Sequence, residues 1–279
     1  MFDMHMHTCE SDGEFEPYEL IRRVKDQGIE EFSITDHNHC LAYTKIDYEN
    51  VRGLHVGTEI ATSYKGTIIE VLGYDVDPSI INAWYHEFFS DASLESIETT
   101  LFNRLVVNAN KQGLVLSDNL KLEKIEKGIS KKTVYRNLVE NNEGFEFTTY
   151  KSFFRNGLCN PDSVYFINEA DTYPSLNEVV ALIHGAGGKA ILAHPYEYGV
   201  KDLHDLFDTV RSANIDGIEC FHPSASMRAG LEIMNYNHQY KMIGSGGSDF
   251  HRISKCIPLG VHVAKNIEMD ELFDWIRKD

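Results

Sequence analysis

The sequence predicts an α/β fold whose strands and helices alternate, with a mostly helical segment interrupting the alternation. Short runs rich in β-branched residues alternate with amphipathic segments of helical period at both ends of the chain. Several of these runs end in His, Asp or Glu, and ligands bind at the carboxyl ends of strands in parallel α/β folds. Between residues 78 and 173, helical periodicity dominates and strands are few.

The first part of the alternation lies in residues 1–77. A helix is predicted over Pro17–Gly28, because apolar residues recur at helical spacing, Pro stands near its start and Gly at its end. It connects two strands and so completes a βαβ unit. The predicted strands of this part are Met1–His7, Glu31–His37, Gly53–Ile60 and Gly66–Tyr74.

Residues 78–173 are predicted to form an inserted, mostly helical cap domain between two parts of the α/β body, residues 1–77 and 174–279. Helices are expected over Ser93–Gln112, Leu120–Lys127 and Lys131–Asn141. The alternative is a run of peripheral helices within the main domain.

The α/β alternation returns at Pro174. The predicted helices are Ser175–Ala186, Asp202–Ala213, Met227–Tyr236 and a last one over Glu268–Arg277. The predicted strands are Lys189–Pro195, Asp216–His222 and Lys241–Ser245. Pro195 ends its strand cleanly because proline cannot donate to the next ladder position.

Composition limits the class of protein. A chain of 279 residues with 42% hydrophobic content can bury a large core. No apolar run approaches a membrane span and the first residues are too polar for a signal peptide, so we expect a soluble cytoplasmic protein without a membrane partner. The five cysteines are scattered without a C-x-x-C pair, which disfavours a disulfide framework or a thiolate zinc site.

The formal net charge of −17 argues against a stable long nucleic-acid partner, because such binding requires Lys and Arg to neutralise phosphates. Bound cations would cancel part of this acidity and reconcile it with a small anionic substrate.

Metal-ligating residue types recur where strands end. In an extended strand Asp3, His5 and His7 point to one side, and two imidazoles at this spacing can share one divalent ion. A lone His-x-His is weak evidence, but the pattern repeats at His7, His37, Glu59, His194, His222, Asp249 and His251. The simplest common cause is a polynuclear metal site at one end of a barrel.

Together these motifs resemble the PHP (polymerase and histidinol phosphatase) family of metal-dependent phosphoesterases. The motifs are His5-Met6-His7, Ser11-Asp12-Gly13, Thr35-Asp36-His37-Asn38, Gly57-Thr58-Glu59, Ala193-His194-Pro195 and Gly247-Ser248-Asp249-Phe250-His251. The resemblance implies a distorted (β/α)7 barrel with two or three divalent ions of manganese, zinc or iron. A helical insertion after the fourth strand resembles the subgroup of nucleoside-monophosphate and 3′,5′-bisphosphate nucleotide phosphatases and 5′-exonucleases on short RNA.

Carried over by position, the resemblance implies three groups of metal ligands. They are His5, His7, Glu59 and Asp249 for one metal, Glu59 and His194 for a second, and Asp12, His37 and His251 for a third. Mixed imidazole and carboxylate ligation suits Mn²⁺, Zn²⁺ or Fe²⁺. Glu70 departs from the family, which commonly has His there. Either Glu70 is an oxygen ligand of the second metal and favours Mn²⁺ or Fe²⁺ over Zn²⁺, or it binds no metal.

The implied activity is hydrolysis of a small phosphate ester. Metal ions would neutralise the phosphate oxygens, lower the pKa of a bridging water and hold the resulting hydroxide for attack at phosphorus. The substrates implied are a nucleoside monophosphate, a 3′,5′-bisphosphate nucleotide or the 5′ end of a short oligonucleotide. Alternatives are a sugar or histidinol-type phosphatase, an amidohydrolase-like enzyme, or a metal-binding scaffold with little turnover. The amidohydrolase is disfavoured because no lysine ends a strand.

Three further residues are candidate substrate contacts. His222 ends a strand at the same rim but is not needed as a metal ligand, so it is either a phosphate contact or general acid, or a structural histidine before Pro223. Lys132 and Arg136 share one face of a predicted helix. In the resembling subgroup a basic residue at a similar place contacts the substrate's second phosphate or base-sugar end; a solvated helix face is the alternative.

Overall fold

One seven-stranded sheet organises most of the chain in a computed structural model that describes residues 1–277. Its strands are β1 (Phe2–Asp3), β2 (Glu31–Ile34), β3 (Leu54–Tyr64), β4 (Thr67–Tyr74), β5 (Lys189–Leu192), β6 (Gly217–Phe221) and β7 (Ile243–Gly246). Their order in the sheet is the order in the chain. All neighbouring pairs are parallel except β3–β4 and β4–β5, so β4 runs against the other six.

The two outer strands of this sheet meet, which gives it the shape of a barrel. Met4 N–H donates to Gly246 O at 3.0 Å, His7 N–H to Phe250 O at 2.9 Å, and Asp249 N–H to His5 O at 2.8 Å. These bonds join the extended chain after β1 to the last residue of β7 and to the chain that follows it. The predicted α/β fold with a distorted seven-stranded barrel is confirmed, and the reversed β4 is its main distortion.

Helices follow most of the strands. They are α1 (Pro17–Asp26), α2 (Pro78–Phe88), α3 (Asp91–Lys111), α4 (Ile129–Asn141), α5 (Tyr150–Ser152), α6 (Leu176–Gly185), α7 (Leu203–Ser212), α8 (Met227–Tyr240) and α9 (Lys265–Glu268). A short π-helical turn covers Phe153–Leu158, and five 3₁₀ segments cover Leu41–Thr44, Tyr48–Asn50, Ala170–Thr172, Ile253–Lys255 and Glu271–Ile276. Within residues 1–277 no helix combines the length and apolarity needed to cross a membrane.

The chain divides into two compact units. The first contains Met1–Tyr85 and the chain from Tyr173 onward, and the second contains His86–Thr172. The barrel strands and their flanking helices share the hydrophobic core of the first unit, in which Ile60, Leu72 and Ile183 are fully buried. The role of residues 78–173 as a cap domain stays a prediction.

The second unit has a separate core built from α3, α4 and the aromatic segment that follows them. Leu105, Val134 and Phe153 are among its buried residues. The buried carboxylate of Glu98 accepts hydrogen bonds from Gly128 N–H at 2.5 Å and Ser130 N–H at 2.9 Å, which satisfies backbone donors at the start of α4.

The prediction of a helix over Leu120–Lys127 is wrong. This segment is irregular and mostly exposed, because an eight-residue helix is marginal unless an apolar face packs against a core. Side chains of α4 and of Asn142, the residue that follows it, instead hold the loop that precedes the helix. Asn142 Oδ1 accepts from Val115 N–H at 2.8 Å, and Asn137 Oδ1 accepts from Ser117 N–H at 3.0 Å.

The last predicted helix, Glu268–Arg277, is also wrong. The chain forms the short α9 and then the 3₁₀ segment Glu271–Ile276. The side chain of Asp270 accepts a hydrogen bond from Leu272 N–H at 3.0 Å and so starts a new turn.

Candidate metal centre

His5 and His7 lie inside the barrel on the extended chain that follows β1. Both are fully buried. Gly247 permits this placement, because a Cβ atom there would lie only 2.2 Å from Cβ of His5. The strand-end histidines His37 and His194 lie three and two residues beyond β2 and β5, where the chain turns across the end of the barrel.

The carboxylate of Glu59 is the centre of the cluster. Its Oε1 lies 2.8 Å from Nε2 of His194 and 3.3 Å from Nε2 of His5. Its Oε2 lies 3.1 Å from Nδ1 of His37 and 3.4 Å from Nε2 of His7. One buried carboxylate therefore contacts four imidazoles from three different parts of the chain.

Asp249 is a second carboxylate shared by several imidazoles. Its Oδ1 lies 3.1 Å from Nε2 of His7, 3.4 Å from Nδ1 of His251 and 3.5 Å from Nε2 of His5. Its Oδ2 lies 3.5 Å from Nε2 of His222. The backbone of Asp249 has a left-handed φ of 50°, which aspartate tolerates better than most residues.

Asp12 completes a third group on the more open side of the cluster. Its Oδ1 lies 3.2 Å from Nε2 of His251, 3.5 Å from Nε2 of His37 and 3.9 Å from Nδ1 of His7. The side chain of Asp12 is 51% exposed, so this side is accessible to solvent.

Glu70 also joins the cluster, although it lies in the middle of β4. Its Oε2 is 3.4 Å from Nε2 of His194, and its Oε1 is 3.6 Å from Nδ1 of His37. The hydroxyl of Tyr198 fixes the backbone here, accepting from Glu70 N–H at 2.9 Å and donating to Ala193 O at 2.9 Å. Glu70 is thus within reach of the second predicted metal, and its role as a ligand stays a prediction.

The donor set fits divalent metals. Buried atoms without a hydrogen-bond partner in the described chain include Nε2 of His5, both ring nitrogens of His7 and Oε2 of Glu59. Leaving such atoms unpaired is costly, and coordination to a metal would satisfy them. Candidate groups whose ligand atoms lie within 4.8 Å of one another are His7–Asp12–His37–His251, His5–His7–Asp249, His5–Glu59–His194 and His37–Glu59–Glu70.

The charges within the cluster shift several pKa values. Burial lowers the pKa of His37 and His194, but the attraction of Glu59 prevails, so both reach about 9. Burial and the repulsion of Glu59 raise the pKa of Glu70 to about 7. Burial raises the pKa of Asp12, but its imidazole neighbours lower it to about 2. Protons therefore balance the carboxylates wherever metals do not.

The predicted basic contacts lie in the second unit. Lys132 and Arg136 are both exposed on α4, and their role in substrate binding stays a prediction. Their neighbour Lys131 is buried, with 8% of its surface exposed, and forms an ion pair with Glu169. Arg228 is a surface residue whose Nε lies 3.1 Å from Glu232 Oε1.

Glu219 is a buried part of this site that the sequence motifs do not identify. Its Oε1 lies 3.2 Å from Nδ1 of His5, and its Oε2 accepts the His194 N–H at 2.8 Å. A charged residue between Ile218 and Cys220 in a buried strand was the available signal.

Asp3 and Asp36, beside the proposed ligands, accept hydrogen bonds from backbone and hydroxyl groups. Asp3 accepts from Ser248 Oγ at 2.7 Å and from Gly260 N–H at 2.7 Å. Asp36 accepts from Thr8 Oγ1 at 2.6 Å and from Ser11 Oγ at 2.6 Å. Asp3 Oδ1 also accepts the His5 N–H at 3.3 Å, so these carboxylates hold the chain that carries the histidines.

Curated relatives align with almost the whole chain. A 5′-3′ exoribonuclease of Haemophilus influenzae is 25% identical over 96% of this chain and 94% of its own. A phosphoribosyl 1,2-cyclic phosphate 1,2-diphosphodiesterase of Eggerthella lenta is 24% identical over 89% and 93%. A 3′,5′-nucleoside bisphosphate phosphatase of Chromobacterium violaceum is 26% identical over 89% and 86%.

Solved structures share the fold. A protein of Bifidobacterium adolescentis described as a metal-dependent phosphoesterase superposes with a TM-score of 0.63 at 22% identity, covering 100% of this chain and 96% of that one. An amidohydrolase of Chromobacterium violaceum superposes with a TM-score of 0.62 at 22% identity, covering 92% and 89%.

The family model for the PHP domain matches residues 3–153, which is more than half of the chain. The matched part contains the first two histidines, Asp12, His37, Glu59 and Glu70, all of which converge in the cluster. Because this match and the motif order agree, the chain belongs to the PHP domain family.

Proposed function

We propose that this protein hydrolyses a small phosphate ester with two or three divalent metal ions bound at the histidine and carboxylate cluster. The observation that carries the proposal is the convergence of four imidazoles on the buried carboxylate of Glu59. The proposed metal ligands are His5, His7, Asp12, His37, Glu59, Glu70, His194, Asp249 and His251. The protein is thus a metal-dependent phosphoesterase, and its curated relatives are named as enzymes that cleave phosphate esters.

The metals would neutralise phosphate oxygens and activate the attacking water. The chain supplies a rigid, buried frame for them. Glu59 and Asp249 each contact several imidazoles, so their two oxygens can serve adjacent ions. The exposed side chain of Asp12 marks the side from which a substrate phosphate would enter.

His222 is proposed to contact the substrate phosphate. Its Nδ1 accepts a hydrogen bond from Ser224 N–H at 3.1 Å, and a backbone N–H can only donate. The neutral ring therefore carries its proton on Nε2, the atom that faces Asp249 and has no hydrogen-bond partner in the described chain. A neutral N–H is a poor acid, so this geometry favours a hydrogen bond to a phosphate oxygen over general-acid catalysis.

The organic part of the substrate is proposed to occupy a pocket beside His222. The pocket has a volume of about 290 Å³, and its lining includes Pro223, Met227, Pro258 and His262. Mostly apolar pockets with a few polar groups are typical of small-molecule sites. The substrates proposed are nucleoside monophosphates, 3′,5′-bisphosphate nucleotides or 5′ ends of short oligonucleotides, with Lys132 and Arg136 as further predicted contacts.

A substrate screen tests this function. Metal-stripped and Mn²⁺-loaded protein would be assayed for release of phosphate or nucleotide from mononucleotides, 3′,5′-bisphosphates, short 5′-phosphorylated RNA and cyclic phosphodiesters. We expect metal-dependent hydrolysis of at least one nucleotide ester. Faster turnover of sugar phosphates or histidinol phosphate would favour that alternative class, and hydrolysis restricted to an amide panel would favour an amidohydrolase. Metal binding without any turnover would contradict the proposal and leave only a scaffold.

The metals are proposed to be Mn²⁺ or Fe²⁺, with Zn²⁺ disfavoured because Glu70 adds a carboxylate oxygen where the family commonly has an imidazole. Glu70→His should raise the ratio of bound Zn²⁺ to bound Mn²⁺ about 10-fold. The ratio would be measured by mass spectrometry after dialysis against both metals. Glu232→His, on the exposed face of α8, is the control and should leave the ratio unchanged. An unchanged ratio in Glu70→His would mean that Glu70 binds no metal.

A further inference from the structure

We infer that Glu219 is a positioning residue that holds His5 and His194 in the orientations needed for metal binding, and that it does so for both at once. The inference rests on the proposed function only in taking these two histidines as metal ligands.

The position of Glu219 in β6 directs its side chain into the barrel. The next residue, Cys220, faces outward, where its Sγ lies 3.4 Å from the side-chain nitrogen of Asn237 in α8. Glu219 faces the opposite way, because its carboxylate contacts the His5 ring and the His194 N–H. Its side chain is fully buried, and a buried carboxylate needs partners for both oxygens.

One carboxylate oxygen determines which nitrogen of His5 is available to a metal. Oε1 of Glu219 lies 3.2 Å from Nδ1 of His5, and an ionised carboxylate can only accept a hydrogen bond. The proton of the neutral ring must therefore sit on Nδ1. Nε2 then keeps its lone pair, 3.3 Å from Glu59 and 3.5 Å from Asp249, where a shared metal would lie.

The other oxygen holds the backbone of the second histidine. Oε2 of Glu219 accepts the His194 N–H at 2.8 Å, just after β5 ends. This bond fixes the turn from which the His194 ring reaches Glu59, and it brings that ring against His5, with centroids 5.4 Å apart and planes 22° from parallel. A change at Glu219 should therefore disturb two predicted metal positions, although Glu219 contacts neither metal.

Glu219→Gln tests the inference, because the amide has the same shape but cannot make both bonds. With its NH₂ toward His194, two donors face each other. With its NH₂ toward His5, the ring must accept at Nδ1, so its proton moves to Nε2 and blocks the metal ligand. We expect the affinity for Mn²⁺, measured by titration calorimetry, to fall about 10- to 100-fold.

A spectroscopic readout separates this role from a merely structural one. The ¹⁵N chemical shifts of the histidine rings distinguish protonation at Nδ1 from protonation at Nε2. In Zn²⁺-loaded wild-type protein we expect His5 to carry its proton on Nδ1, and Glu219→Gln should remove this signal. Glu219→Asp retains the acceptor and should recover part of the metal affinity, which keeps the test valid should the glutamine variant fold poorly.

Glu98→Gln is the matched control. Glu98 is 2% exposed and also accepts two backbone N–H groups, from Gly128 and Ser130, but it belongs to the second unit rather than to the histidine cluster. It should lower thermal stability without changing Mn²⁺ affinity. Wild-type Mn²⁺ affinity in Glu219→Gln, or an equal loss in Glu98→Gln, would overturn the inference. Neither readout uses a substrate, so a protein that binds metal and hydrolyses no phosphate ester would overturn only the proposed function.

Discussion

His7→Ala should reduce phosphate-ester hydrolysis by about 10³-fold while the fold remains intact. Nε2 of His7 lies 3.1 Å from Asp249 and 3.4 Å from Glu59, and its Nδ1 lies 3.9 Å from Asp12, so the ring stands where the predicted metal groups meet. Losing a ligand there removes several kcal/mol of transition-state stabilisation, and about 4 kcal/mol corresponds to that factor. The measurement is kcat/KM with saturating Mn²⁺.

The fold should survive this change because neither ring nitrogen of His7 has a hydrogen-bond partner in residues 1–277. Burial and the nearby His37 lower the pKa of His7, so it is less able than His37 or His194 to balance the carboxylates by protonation. Circular dichroism of the metal-free variant should match that of the wild type. His204→Ala, an exposed position in α7, is the control for removing a histidine.

Asp249→Asn is a second variant for the same prediction. Asparagine tolerates the left-handed φ of 50° at this position, whereas alanine would add backbone strain to the loss of the carboxylate. Wild-type kcat/KM in either His7→Ala or Asp249→Asn would remove that residue from the mechanism. A comparable loss in His204→Ala would attribute the effect to general destabilisation.

The residues of the cluster were predictable because their chemistry and their positions agree. Buried strands seldom end in histidine unless it has a partner, and the carboxyl ends of parallel strands meet at one rim. For this reason His5, His37 and His194 could be assigned to one cluster from sequence, although they lie far apart in the chain.

The route by which Glu70 reaches that rim was not predicted. Lys65 and Gly66, with φ of 47° and 88°, form a tight turn that folds β4 back onto β3. Glu70 consequently pairs with Ala61, close to Glu59, and reaches the cluster from the middle of its strand. The Lys-Gly turn was the sequence signal for this hairpin.

Long-range partners were harder to predict than ligand positions. A glutamate in a buried strand needs polar partners, but the sequence does not say that the two oxygens of Glu219 meet His5 and His194. The same limit applies to Lys131, whose buried ion pair with Glu169 depends on how the second unit packs. Local periodicity carries no information on such contacts, because they depend on the tertiary fold.

The metal-free protein should lose stability as the pH rises from 6.5 to 9, and saturating divalent metal should reverse this loss. The pKa values of His37 and His194 are raised from 6.5 to about 9 in the folded state. A group whose pKa is higher in the folded state stabilises the fold fully when the pH lies below its pKa in the unfolded state. This contribution disappears as the pH rises past its pKa in the folded state. The pKa of Glu70 is raised from 4.5 to about 7, so this group also lowers the stability as the pH rises, but at lower pH.

His7 opposes this trend only below pH 6.5. Its pKa is lowered in the folded state, so its contribution to the free energy of unfolding increases up to pH 6.5 and stays constant above it. Metals bind the deprotonated imidazoles, so their affinity should increase over the same range in which the metal-free fold weakens. A free metal concentration of 100 times Kd adds about 2.7 kcal/mol to the free energy of unfolding.

The midpoint of thermal unfolding, measured with EDTA and with Mn²⁺ across this pH range, gives the pH dependence of stability without and with metal. His7→Ala is the control, since it should keep the decline of the metal-free protein and lose most of the stabilisation by Mn²⁺. If the metal-free midpoint stays level or rises between pH 6.5 and 9, the imidazoles are not held protonated by Glu59. Near pH 9 few protons compete with Mn²⁺ for the ring nitrogens. If Mn²⁺ leaves the unfolding midpoint unchanged at that pH, the cluster is not a metal site.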